Sequence, residues 1–154
     1  MTKRPEEGPA EKYRRPEGLD DATLEALGKM SEALEAVEHA RGLLYGFHRL
    51  TGTADLALGE AVELLRNAGH LQLAERIDRE IVGRNVIEGH WTFQIIDEYD
   101  EIYYGPFKEL ERQARETLAG GRKHLFEAAM KEDRRTHGLR NHEANAPGQR
   151  DAGT

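Results

Sequence analysis

Residues 84–107 read RNVIEGHWTFQIIDEYDEIYYGPF and form the densest aromatic and acidic stretch of the chain. Six of the ten aromatic residues lie here, and four carboxylates lie within residues 97–101. The helical spacing of its apolar residues predicts a core helix that begins near His90. Proline has no amide hydrogen to donate, so Gly105-Pro106 predicts a kink or a restart of this helix. The residues predicted to be buried on it are Trp91, Ile95, Ile96, Tyr99, Ile102 and Tyr103.

Apolar residues at helical spacing continue on both sides of this stretch. They predict helices from Asp21 to Leu50, from Ala54 to about Asn67, from His70 to Val82 and from Arg122 to Thr136. Gly52 is predicted to end the first of these in a left-handed cap conformation. No segment alternates between polar and apolar residues as a strand does. Long helices with short connections predict an all-α fold, an antiparallel bundle of four to five helices.

The apolar residues are concentrated in residues 19–137, which we predict to form a single bundle domain. Residues 1–18 are rich in charged residues, residues 138–154 are polar, and both segments are poor in aliphatic residues. Such segments bury too little apolar surface to offset the entropy lost on ordering, so both are predicted to be disordered tails.

Composition excludes several classes of function. The chain has no cysteine, which removes disulfides, thiolate metal sites and cysteine nucleophiles. No apolar run is long enough to span a bilayer, so we expect a soluble, cytoplasmic protein with no membrane partner. A net charge of −7 argues against broad nucleic-acid binding. The basic segment 122–142 keeps nucleic-acid association as the weakest alternative.

Helical projection places a group of charged and histidine side chains near the predicted core faces. The group consists of Glu38, Arg41, His48, His70, Glu80 and Arg84, and His90 joins it because it begins the next helix beside Trp91. Buried charges must pair or bind a ligand, because an unpaired buried charge is costly. One reading is structural, with Glu38 paired to Arg41 and Glu80 to Arg84 along their helices. The other is a polar pocket where arginine holds a small anionic ligand and histidine or glutamate binds metal or moves protons.

The remaining aromatic and acidic residues of the 84–107 stretch project away from the core. Phe93, Asp97, Glu101 and Tyr104 are therefore the candidate interaction surface. No Glu-x-x-His pair, HExxH or phosphate-binding loop occurs, so the sequence names no metal ligands and identifies neither a cofactor nor a reaction. The primary hypothesis is a non-enzymatic interaction or assembly module that binds a protein partner or itself. The alternative is a ligand- or metal-binding bundle, with or without enzymatic activity.

Overall fold

The computed structural model describes residues 8–145, and helices account for all of their regular structure. A 3₁₀ turn at Glu11–Tyr13 precedes five α-helices: α1 (Asp21–Asn67), α2 (Leu71–Glu80), α3 (Thr92–Tyr99), α4 (Gly105–Ala119) and α5 (Leu125–Arg134). A π-helical turn, Asp100–Tyr104, joins α3 to α4. The described residues contain no strand, only an isolated bridge between Ile87 and His90. The all-α helical bundle expected from the sequence is confirmed.

Helix α1 runs without interruption for 47 residues, so the predicted break at residues 51–53 is wrong. Gly52 does not adopt a left-handed conformation. Thr53 donates its hydroxyl to the carbonyl of Arg49 at 3.0 Å, a bond made within the helix itself. A single glycine costs a helix interior only about 1 kcal/mol, and no proline stands nearby to force an end. Packing along α1 outweighs this local cost.

One compact unit comprises residues 35–107, which we call the central unit. Gly69 ends α1 in a left-handed conformation, and the His70 amide donates to the Leu65 carbonyl at 2.9 Å. Helix α2 then returns antiparallel to α1, because Asp78 pairs with Arg66 and Asp55 accepts the Gly83 amide. Helix α3 also runs antiparallel to α1. The buried residues of this unit are Val37, Val62, Ala74 and Ile96.

The helical backbone continues through Gly105-Pro106, where the π turn Asp100–Tyr104 passes directly into α4. The Gly105 amide donates to the Asp100 carbonyl, five residues back. A Cβ atom at position 105 would lie 2.8 Å from that carbonyl oxygen, so the turn requires glycine. A π turn contains one residue more than an α turn, which rotates later side chains by about 100° from their α-helical projection. Ile102 and Tyr103 lie within this turn and are exposed, so their predicted burial is wrong, as is that of Trp91, which is 56% exposed.

The second unit contains the described residues 8–34 and 108–145. Helix α5 packs closely on α1, where a Cβ atom at Gly28 would lie 3.1 Å from the Phe126 ring. Helix α4 turns an acidic side chain inward, because Glu111 is only 4% exposed. Its carboxylate accepts hydrogen bonds from Arg115 at 2.8 Å and from Ser31 at 3.3 Å. The ion pair lies within α4, and the Ser31 hydrogen bond links its carboxylate to α1.

The predicted disordered tails lie only partly within the described residues. Residues 1–7 and 146–154 lie outside them. Inside them, Ala10 is 4% exposed and the 3₁₀ turn accepts hydrogen bonds from Arg122 on the carbonyls of Glu11 and Arg14. Arg135 likewise donates to the Gly8 carbonyl at 3.3 Å. Residues 8–14 thus contact residues close to both ends of α5.

Candidate functional site

A cavity of about 560 Å³ lies within the central unit, between α1, the connector that follows α2 and the start of α3. Its walls are mostly apolar, with a few polar groups at defined positions. The main lining residues are His48, Asp55, Leu58, Ile81, Arg84, Val86, Trp91 and Phe93. Cavities of this size and composition are typical of small-ligand sites and of pockets that receive a partner's side chain.

Two polar contacts hold the cavity walls together. His48 on α1 shares a 2.7 Å hydrogen bond between its Nδ1 and the hydroxyl of Thr92, the first residue of α3. Asp55, two turns further along α1, accepts the backbone amide of Gly83 at 2.8 Å. Gly83 has a φ of 70°, which strongly favours glycine at this position. Both contacts tie the connector and α3 to the same face of α1.

The rim of the cavity combines two aromatic rings with a single cation. Trp91 and Phe93 are 56% and 48% exposed, and their rings meet edge to face at 5.9 Å. Arg84 is exposed, and within the described residues its only hydrogen bond is to the Glu80 carbonyl at 3.3 Å. Most of its guanidinium donors thus face solvent beside an apolar cavity. Such a rim suits an apolar group that carries a negative charge.

Arg41 is engaged in a separate network on the same helix. Its guanidinium binds both carboxylate oxygens of Asp100, at 2.6 and 2.7 Å. This contact holds the pKa of the Asp100 carboxyl below its usual range and raises the pKa of Arg41. The Arg41 guanidinium lies 5.0 Å from the Tyr45 ring and 5.3 Å from the Tyr104 ring. Tyr104 also donates its hydroxyl to Glu38 at 3.2 Å. Arg41 therefore forms a structural ion pair, as the first of the two interpretations predicted, but its partner is Asp100 rather than Glu38.

The other members of the predicted polar group lie apart from this network. Glu80 is exposed and pairs with Arg76 at 3.2 Å rather than with Arg84. His70 is exposed and precedes the first residue of α2. His90 bonds the Glu88 carbonyl at 3.1 Å and the Glu98 carboxylate at 3.0 Å, and both contacts raise its pKa. The inward orientation expected for Glu38, His70, Glu80 and Arg84 does not occur, because all four side chains are exposed.

Of the seven residues of the predicted polar group, two line the cavity, His48 and Arg84. Of the predicted interaction surface, Phe93 lines the cavity rim and Asp97 and Glu101 are exposed. Tyr104 instead turns toward Glu38 and Arg41, because the π turn rotates it inward. Asp55 was missed by the sequence reasoning. It lies seven residues after His48, on the same face of one helix, and the predicted break at residues 51–53 concealed that relation.

No known protein family, curated protein or solved structure matches the chain. Within residues 8–145, no three His, Asp or Glu side chains converge as they would around a metal ion. None of the helices in that range is both long and apolar enough to cross a bilayer.

The basic segment 122–142 uses two of its arginines internally. Arg122 donates to the carbonyls of Glu11 and Arg14 at 3.0 and 2.6 Å. The side chain of Arg135 is 5% exposed and binds Glu132. Phosphate binding requires accessible cations. The basic segment therefore offers fewer accessible cations for phosphate binding than its sequence suggests.

Proposed function

We propose that this chain is a non-enzymatic interaction module of the cytoplasm, which binds protein partners through exposed apolar surface. One observation carries the proposal. Among the described residues, twenty large hydrophobic side chains are exposed, whereas the buried hydrophobic residues number seven, three of them alanines. Single exposed leucines are ordinary, but so many exposed apolar side chains beside so small a core favour surface that a partner covers.

The cavity is the proposed contact point for a partner's apolar side chain. Trp91 and Phe93 supply large rings at its rim, and aromatic side chains are enriched where interfaces are strongest. The aliphatic side chains of Ile81, 51% exposed, and Val86, 39% exposed, extend this apolar surface along the connector. Binding would bury these groups while His48 and Asp55 keep the walls in place.

Replacing Phe93 by alanine is expected to reduce capture of protein partners by the immobilised full-length chain. Truncation of an aromatic anchor at an interface costs at least about 2 kcal/mol, roughly a thirtyfold loss of affinity. The matched control is Leu110→Ala, which removes a 62% exposed apolar side chain outside the central unit. Quantitative mass spectrometry of the captured proteins compares the two variants. Equal recovery of the same proteins by both variants would contradict the proposal.

The second candidate function is binding of a small amphipathic anion in the same cavity. Arg84 favours it, since this cation stands at the rim of an otherwise largely apolar cavity and is bonded only to a backbone carbonyl among the described residues. A carboxylate or sulfonate could accept its hydrogen bonds while an attached apolar group enters the cavity. This candidate keeps the anionic ligand inferred from the sequence but assigns it to Arg84 rather than to Arg41.

Binding of anilinonaphthalene sulfonate tests this second candidate. Trp91 is the only tryptophan of the chain and lines the cavity, so energy transfer from Trp91 to the dye reports occupancy directly. Arg84→Gln is expected to weaken dye binding by about three- to tenfold, as loss of an exposed charge-assisted contact should. The control is Arg79→Gln, an exposed arginine of α2 that does not line the cavity. Indistinguishable dye affinities for both variants would rule out a role for Arg84 in anion binding.

A further inference from the structure

Helix α1 carries a second apolar stripe that faces solvent. From Ala40, steps alternating between three and four residues reach only alanine, leucine or phenylalanine as far as Leu64. We call these positions the α1 seam. Its large side chains are well exposed: Leu43 66%, Phe47 43%, Leu50 72% and Leu64 70%. The seam lies about 100° around the helix from the face that buries Val37 and Val62. Seven of its eight positions are exposed and Ala61 is half-buried, while Ala54 at its centre also borders the cavity.

The spacing of the seam is that of a coiled coil. Apolar positions alternating by three and four residues over three to four heptads indicate that two helices pair along the stripe. The residues 40–64 supply eight such positions without a polar interruption. A lone surface helix has no need for this pattern in addition to its buried face. This pattern favours a helical partner of matching length along the seam.

We propose that α1 pairs along this seam with the α1 of a second copy of the chain, in antiparallel orientation. The inference rests on the proposed function as an interaction module and names its partner. In an antiparallel pair centred at Gly52, residue numbers that face each other sum to 104. The facing positions are then Ala40 with Leu64, Leu43 with Ala61, Phe47 with Ala57 and Leu50 with Ala54. Every layer joins one large side chain to one alanine, which allows a constant distance between the helices.

A parallel pair lacks this complementarity. It would place Phe47 opposite Phe47 and would stack alanines at 54, 57 and 61 in three consecutive layers. The helices would then be too far apart at the alanines or too close at the large residues. Antiparallel pairing also opposes the two helix dipoles instead of aligning them.

The interface is large enough for a specific dimer. The seam, from Ala40 to Leu64, extends over about 36 Å and about 140° of the helix surface, which gives roughly 500 Å² on each copy. The total of about 1,000 Å² reaches the size expected of a biological interface.

Sedimentation equilibrium of the full chain tests dimer formation. The wild-type chain is expected to sediment at twice its mass of 17.4 kDa. Leu50→Glu places a charge inside the seam and is expected to weaken the dimer by at least about a hundredfold. The control is Leu56→Glu, because Leu56 is 73% exposed on the same helix but lies off the seam. A monomeric wild-type chain, or equal effects of both variants, would overturn the proposal.

Single cysteines determine the orientation, since the chain has none of its own. In the antiparallel dimer, Thr53 lies beside the partner's Thr53, whereas the two copies of His39 are about 39 Å apart along the axis. Thr53→Cys is expected to form an intermolecular disulfide with copper phenanthroline, and His39→Cys is not. Efficient cross-linking at both positions, or at neither, would overturn the antiparallel register. Capture of partners that depends on Phe93 is measured separately, so it can survive or fail independently of this dimer.

Discussion

Replacing Arg115 by methionine is expected to lower the free energy of unfolding by about 3–5 kcal/mol, the cost of removing one member of a buried ion pair. The side chain of Glu111 is 5% exposed and that of Arg115 is 16% exposed. One guanidinium nitrogen donates to both Glu111 oxygens at 2.8 Å, and the remaining partner is the hydroxyl of Ser31 at 3.3 Å. Methionine keeps much of the side-chain volume but leaves the Glu111 carboxylate without a cation. Urea unfolding followed by circular dichroism measures the loss.

The control for this experiment lies one turn away on α4. Arg112 pairs with Glu109 at 2.7 Å and with Glu116 at 2.5 Å, but these three side chains are about half exposed. Water solvates the carboxylates after Arg112→Met, so the unfolding midpoint should change little. The double variant Glu111→Leu, Arg115→Met replaces the buried pair by apolar groups and should recover much of the lost stability. Equal destabilisation by Arg115→Met and Arg112→Met would contradict the buried role of Glu111.

The Glu111–Arg115 pair also shows what helical periodicity could not predict. Periodicity assigns Leu110 and Leu118 to the core face of α4, yet they are 62% and 49% exposed, while Glu111 and Ala119 are buried. A glutamate and an arginine four residues apart resemble an ordinary surface pair in sequence. Only the packing around Ser31 reveals that this pair is inside. Amphipathic pattern therefore identifies a helix reliably but identifies its buried face less reliably.

Helical projection also predicted only part of the candidate site, because it considers one helix at a time. Arg84 and His48 were selected because they project near apolar stripes, and both line the cavity. Arg41 was selected by the same rule, but its partner, Asp100, lies 59 residues away and could not be identified from spacing along one helix. Long-range pairs of this kind depend on the packing of two helices. The positions of Ile102 and Tyr104 depend on a π turn, for which α-helical projection has no provision.

Ile96 and Ile102 provide the second large expected effect, because they test the π turn directly. Alpha-helical projection assigns both isoleucines to the core, whereas the structure buries Ile96 to 4% exposure and leaves Ile102 at 72%. Ile96→Ala is expected to lower the free energy of unfolding by about 2–5 kcal/mol, since truncation of a buried isoleucine loses transfer energy and leaves a cavity. Ile102→Ala should change it by less than about 0.5 kcal/mol, as exposed substitutions usually do.

Urea unfolding at several protein concentrations distinguishes the possible origins of any effect at Ile102. The two variants delete the same atoms from residues six positions apart, so propensity differences between isoleucine and alanine largely cancel. The remaining difference reports burial. A loss for Ile102→Ala that matches Ile96→Ala at every concentration would mean that α3 continues as a regular α-helix through residues 100–104. A loss that disappears on dilution would mean that a second copy covers Ile102, because only contacts between chains depend on concentration.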